Sequence, residues 1–228
     1  MIPLHIKHLI YKEWIKTRWY ATLGLILTFA FSVYMAIGTV LTFHHMDSAM
    51  YYSMLMTGNI SLFTALKFKY WALLVALLIG LPQFLPEVSH KRIRLTLHLP
   101  VDTTTIVYST VLYGLILCFA VLLPALLVVL VTLVAMFPAE IVVPTLQTML
   151  PWLLGGITGY FFIAMIAFEP IAKFRFLYII AAYFILRFFY ISYGVGNAVT
   201  VYPLLLVITI VAGLSVLYTS YRFNKGAR

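Results

Sequence analysis

The residues best suited to intermolecular chemistry lie between Glu87 and Asp102, in the order Glu-Val-Ser-His-Lys-Arg-Ile-Arg-Leu-Thr-Leu-His-Leu-Pro-Val-Asp. One carboxylate, Glu87, precedes the cations Lys91, Arg92 and Arg94, while Ile93/Leu97 and Leu95/Leu99 are spaced one helical turn apart. The same alternation would suit a strand, yet the sequence offers no second strand to pair with it, so a short surface helix is expected. A loop that only carried charge would have no use for four regularly placed apolar side chains, so the segment reads as a docking element. A second short connection, Glu169-Pro170-Ile171-Ala172-Lys173-Phe174-Arg175, places a carboxylate beside two cations. It suits a partner contact and a tight turn equally.

Further candidates sit inside or beside apolar stretches. Arg187 falls about 20 Å along its helix from the nearest basic connection, where it either lines a cavity or extends to the membrane surface beside Tyr190. Lys67 and Lys69 precede Tyr70 and Trp71, a combination that marks an interfacial belt or, less directly, guides a substrate. His44, His45, Met46, Met50 and Met54 form a soft donor set of the kind Cu(I) takes, although methionines in apolar segments ordinarily pack. No other metal site is expected. The chain contains no Gly-x-x-x-x-Gly-Lys-Ser/Thr, Gly-x-Ser-x-Gly or His-Glu-x-x-His sequence, so P-loop ATP hydrolysis, serine hydrolysis and zinc proteolysis lose their carriers. All six carboxylates, Glu13, Asp47, Glu87, Asp102, Glu140 and Glu169, fall in connections or at helix ends, which argues against a proton-coupled carrier.

The elements that position these residues follow from composition. Of 228 residues 64% are hydrophobic and 9% charged, and the mean hydropathy is +1.06. Soluble domains carry about 25% charged residues, so the chain belongs in a bilayer. Apolar runs at about 19 to 41, 60 to 86, 104 to 136, 147 to 168, 174 to 194 and 199 to 221 each exceed the roughly 20 residues that cross about 30 Å of hydrocarbon. None alternates as barrel strands do. The first is too long for a signal-peptide core and is expected to remain in the mature protein. The single cysteine, Cys118, excludes a disulfide framework. The expectation is an all-α integral membrane protein, a single domain over residues 1–228 with six transmembrane helices. Pro124 is expected to kink the third helix, Asp102 to cap its start, and Gly155-x-x-x-Gly159 to allow close helix approach within one protomer or across a dimer.

Residues 1–18 are amphipathic. Ile2, Ile6, Leu9, Ile10 and Trp14 gather on one face and His5, His8, Lys12 and Lys16 on the other, with Glu13 out of place. An interfacial helix is expected here, in preference to a cytoplasmic extension of the first span. Twelve of the 15 Lys and Arg residues fall in the N-terminal segment, the second and fourth connections and the tail, which predicts that both termini are cytoplasmic. The net charge of +9 is then a topology signal, and nucleic acid is not an expected partner.

Six spans, a basic amphipathic start, and a glutamate closing the second span before a charged stretch ending Leu99-Pro100-Val101 together resemble the permease subunit of ABC-2-type ATP-binding-cassette exporters. The resemblance covers most of the chain. Two positions depart from the usual pattern: Ile93-Arg94-Leu95 stands where that family has glycine-threonine before the leucines, and Tyr108-Ser109 where a glycine-lysine often opens the third span. The resemblance implies that residues 1–18 are an elbow helix and that residues 87–102 are a coupling helix seated in a groove of a separate ATPase subunit. Glu87, Lys91, Arg92, Arg94, Leu95, Leu97 and Glu169 would then be coupling residues, and Arg187, Lys67 and Lys69 would border a substrate path. It further implies a second permease protomer, ATP and Mg bound by the partner rather than by this chain, a bacterial inner membrane, and export or flipping of an amphiphile. The rival expectations are a non-transporting membrane scaffold and a heme- or cofactor-maturation permease.

Overall fold

The computed structural model describes residues 4–45, 50, 68–89, 103–191 and 200–224. Six helices account for nearly all of them: α1 (Leu4–His45), α2 (Trp71–Ser89), α3 (Thr103–Met136), α4 (Ala139–Phe168), α5 (Ala172–Phe189) and α6 (Tyr202–Asn224). Among the described residues there is no strand. Four of these helices, α1, α3, α4 and α6, are long and apolar enough to cross a membrane, and the apolar part of α2, Trp71–Pro86, is shorter. Helix α5 has a similar interior, but Lys173, Arg175 and Arg187 all fall within its 18 residues and lower its apolar character.

Helix α4 is the centre of the bundle, touching α2, α3, α5 and α6, while α1 lies against α3 and α2. Burial follows that order: 61% of the membrane-length window of α4 is buried, against 28% for α1 and 33% for α3. Small residues allow the close packing. A Cβ added at Gly156 would lie 2.6 Å from the Ala72 Cβ and 2.8 Å from its backbone carbonyl carbon, and one at Gly155 would lie 2.9 Å from the Phe189 Cβ. At Gly159 the added atom would run into Leu73. The glycine face of α4 is therefore used inside the protomer, against α2 and the end of α5. Phe31 of α1 stacks on Trp71 of α2 with ring centres 4.0 Å apart, and the Thr158 and Thr209 hydroxyls, 2.8 Å apart, join α4 to α6.

The outer surface is a continuous apolar coat. Leu23, Ile26 and Leu41 of α1, Leu123, Leu127 and Val131 of α3, and Leu206, Ile210 and Leu214 of α6 are all exposed. Monomeric soluble proteins rarely expose contiguous apolar patches beyond a few hundred Å², so this coat is what a bilayer would cover.

Two expectations require correction. Residues 4–18 are not a separate interfacial element but the first turns of α1, a helix of 42 residues and about 63 Å. The cause is visible in the burial pattern: Glu13 and Thr17, which share the wheel's apolar side with Leu9 and Ile10, are buried against other helices while His8 is exposed, so it is the apolar face, with Glu13 on it, that turns into the bundle. The fourth helix starts at Ala139, eight residues before the expected run, with Pro138 at its N-cap and only Phe137 and Pro138 between it and α3. Helix α3 continues through Pro124 as one element. Asp102 lies outside the described residues.

Candidate functional site

Polar side chains collect at one end of the bundle. Glu13, Lys16 and Thr17 occupy adjacent turns on one face of α1, where Lys16 Nζ lies 2.9 Å from Glu13 Oε1. Glu13 is 2% exposed, so this ion pair is largely withdrawn from solvent. Lys16 also donates to the main-chain carbonyl of Gln83 at 3.1 Å, crossing from α1 to α2. The Thr17 hydroxyl donates to the Glu13 carbonyl at 2.9 Å, which leaves its oxygen to accept the Tyr113 hydroxyl, also at 2.9 Å, from α3.

Gln83 is the hub. Its side chain is fully buried, its Nε2 donates to the Thr110 carbonyl on α3 at 2.8 Å, and its Oε1 accepts the Tyr160 hydroxyl from α4 at 2.9 Å. The Tyr160 oxygen also lies 3.2 Å from the Val111 carbonyl. Room for this arrangement comes from Gly114: a Cβ there would collide with Gln83 Oε1 and the Tyr160 hydroxyl and would lie 2.8 Å from the Tyr160 Cζ. One residue of α2 thus fastens α1, α3 and α4, one helical turn before Glu87. Buried polar groups are stable only when paired, and this cluster pairs them across four helices.

A second cluster closes the neighbouring corner. Glu169, between α4 and α5, is fully buried; its Oε2 meets Arg222 Nη1 of α6 at 3.2 Å, and its Oε1 accepts the Ile171 N–H at 3.4 Å. Arg175 Nη2 donates to the Glu169 carbonyl at 2.8 Å, and the Arg222 guanidinium stacks over Phe174 with its carbon 4.8 Å from the ring centre. Phe84 touches both clusters, 5.6 Å from Tyr160 and 5.3 Å from Phe168, ring centre to ring centre. These contacts place the starts of α1, α3 and α5 and the ends of α2, α4 and α6 together, so successive helices alternate in direction.

The sequence-predicted site residues divide sharply. Glu87 lies in the last turn of α2. Lys91, Arg92, Arg94, Leu95 and Leu97 lie outside the described residues, as do Lys67, Met46 and Met54. Glu169, expected as a surface contact, is a buried brace, and Lys173 beside it is the exposed charge of that connection. Lys69 is 6% exposed, with Nζ 5.8 Å from the Tyr70 ring centre. Arg187 lies on the exposed face of α5, its guanidinium 5.9 Å from the Tyr183 ring centre. His44 and His45 are both exposed in the last turn of α1, and Met50 is exposed as well.

The sequence reading missed Gln83, Tyr113 and Tyr160; it placed Lys16 on the polar face and Glu169 at a partner contact or tight turn, and it left Glu13 as a misplaced charge. The available signal was the amide of Gln83 within an apolar run of α2, since a lone amide there demands a buried partner. Comparison with known proteins adds no label: no protein-family profile, curated protein or solved structure matches the chain.

Proposed function

We propose that the chain is the membrane-spanning subunit of an ATP-driven ABC-2-type exporter, with six spans and both termini in the cytoplasm. In this reading two permease protomers associate with ATPase subunits that bind ATP and Mg, and the complex exports or flips an amphiphile across a bacterial inner membrane. The supporting observation is the position of Gln83. It joins α1, α3 and α4 one turn before Glu87, where the docking segment begins. A force applied to residues 87–102 would reach three helices through one buried amide, which is the connection a nucleotide-driven conformational change requires. Such a partner would shift populations of inward- and outward-open states by its differential contacts with each.

The test is purification in mild detergent followed by mass spectrometry of associated proteins. The expected partner carries a Gly-x-x-x-x-Gly-Lys-Ser/Thr loop. Leu95→Asp or Leu97→Asp should reduce its recovery at least about tenfold, because about 1.4 kcal/mol is one decade in affinity and burying a leucine contributes about 1.5–3 kcal/mol. Glu87→Ala should leave assembly intact while uncoupling hydrolysis from transport. Recovery of only non-nucleotide-binding proteins would favour the scaffold reading, and normal ATPase binding by both leucine variants would refute the docking assignment.

A further inference from the structure

Between α2, α4 and α5 an apolar groove of about 280 Å³ opens on the flank of the bundle. Leu77, Leu81 and Leu85, one turn apart, form one wall about 12 Å long, and Ile163 and Ile179 face them from α4 and α5. Arg175 lines the same groove in the first turn of α5, at the end that holds Glu169. One of its nitrogens is engaged by the Glu169 carbonyl, yet its Nε is buried and has no hydrogen-bond partner among the described residues. The Glu169 carboxylate is already engaged by Arg222 and the Ile171 N–H, so it does not neutralise Arg175. Exposed Lys173 adds a second positive charge two residues away. Arg175 is half-buried and lines the groove, with one of its nitrogens on the Glu169 carbonyl, and planar phosphate recognition is what the rest of the guanidinium provides.

The geometry points to an anionic phospholipid in this groove, one acyl chain along Leu77, Leu81 and Leu85 and the phosphate on Arg175. A peptide would bring backbone polar groups against aliphatic walls that offer them no partners, and free phosphate would leave the apolar strip unfilled. The inference goes beyond transport: it requires only that the protein lie in a bilayer, so it stands or fails independently of any ATPase.

Native mass spectrometry of the purified protein, titrated with phosphatidylglycerol or phosphatidylcholine of identical chains, tests it. Wild-type protein should retain phosphatidylglycerol at least about tenfold better, a decade in affinity. Arg175→Gln should abolish the preference, whereas Lys173→Gln should change it less than about threefold, as an exposed charge contributes little. Leu81→Trp, which fills the groove and leaves the Arg175 charge in place, should lower retention of both lipids. Millimolar glycerol 3-phosphate should not displace phosphatidylglycerol. Equal wild-type retention of the two lipids, a preference that survives Arg175→Gln, undiminished retention by Leu81→Trp, or displacement by glycerol 3-phosphate would overturn the site. The wild-type and Leu81→Trp arms decide the matter even where Arg175→Gln does not fold.

Discussion

Replacing Gly114 by alanine probes the buried hub with the smallest change available. The added methyl group would occupy the space of Gln83 Oε1 and the Tyr160 hydroxyl, and it would lie 2.8 Å from Tyr160 Cζ. Tyr160 has little freedom to retreat, because it is fully buried with Phe84 and Phe161 at ring-centre distances of 5.6 and 6.1 Å. Overpacking of this kind costs about 1–3 kcal/mol, and loss of the Tyr160 to Gln83 hydrogen bond adds about 1 kcal/mol. Alanine's helix propensity returns up to about 1 kcal/mol. The net destabilisation is then about 2 kcal/mol, which in a chain of this size lowers Tm by about 4–8 °C. Gly38→Ala is the matched control, since nothing lies within 4 Å of its added Cβ and only the propensity gain remains. The assay is thermal unfolding in detergent, followed by loss of the monodisperse peak in size-exclusion chromatography. Tyr160→Phe in the Gly114→Ala background removes one of the two nearest colliding atoms, so the two changes should combine to less than the sum of their separate effects. A Gly114→Ala protein that melts within about 2 °C of the parent, or no differently from Gly38→Ala, would refute the hub.

Three further outcomes follow from the same geometry. Arg222→Gln should destabilise the protein by about 3–5 kcal/mol because it leaves the fully buried Glu169 uncompensated, and Glu169→Gln in the same background should restore much of the loss, as read by thermal unfolding. Reporter fusions after residues 45, 140 and 196 should report the outside and those after 95, 172 and 226 the cytoplasm; an inside signal at 140 would remove the six-span arrangement. Lys16→Met should weaken the α1 to α2 contact through loss of the Gln83 carbonyl bond and raise protease sensitivity near residue 16, whereas Lys7→Met, at an exposed position, should not.

Apolar run length made most of the helices legible, because a segment that must satisfy every backbone group in hydrocarbon has few alternatives to a helix. The start of α4 was hidden by its polar residues. Thr145 reads as the end of a connection, yet its hydroxyl donates to the Ile141 carbonyl at 2.7 Å and so carries no exposed polarity. Pro144, the sixth residue of the helix, removes the bond its N–H would make to the Glu140 carbonyl, and so reads in the sequence as a break that the structure carries within the helix. Periodicity separated the two faces of α1 but could not say that the apolar one packs against other helices, since lipid and a helix bundle select the same side chains. Glu13 was the discordant residue, and it is the one that lies 2% exposed beside Lys16.

The distribution of polarity bears on how the bundle can move. Glu13, Lys16, Gln83, Tyr113, Tyr160, Glu169, Arg175 and Arg222 hold one end through charged, amide and hydroxyl pairings that together reach all six helices. Towards the opposite end the described contacts are mostly apolar, with Phe31 stacked on Trp71, Gly156 against Ala72 and Phe43 edge-on to Phe137 at 6.0 Å, and uncharged hydroxyl bonds such as Tyr202 to the Gln147 carbonyl are the polar ones among them. Apolar surfaces slide at small cost, because one dispersion contact replaces another, whereas a buried ion pair that separates leaves two unpaired groups. Motion of the helices relative to one another should therefore be larger away from the polar end. Under the proposed function a partner acting on residues 87–102 would push on the stiff end and open the compliant one, with Gln83 as the fixed point between them.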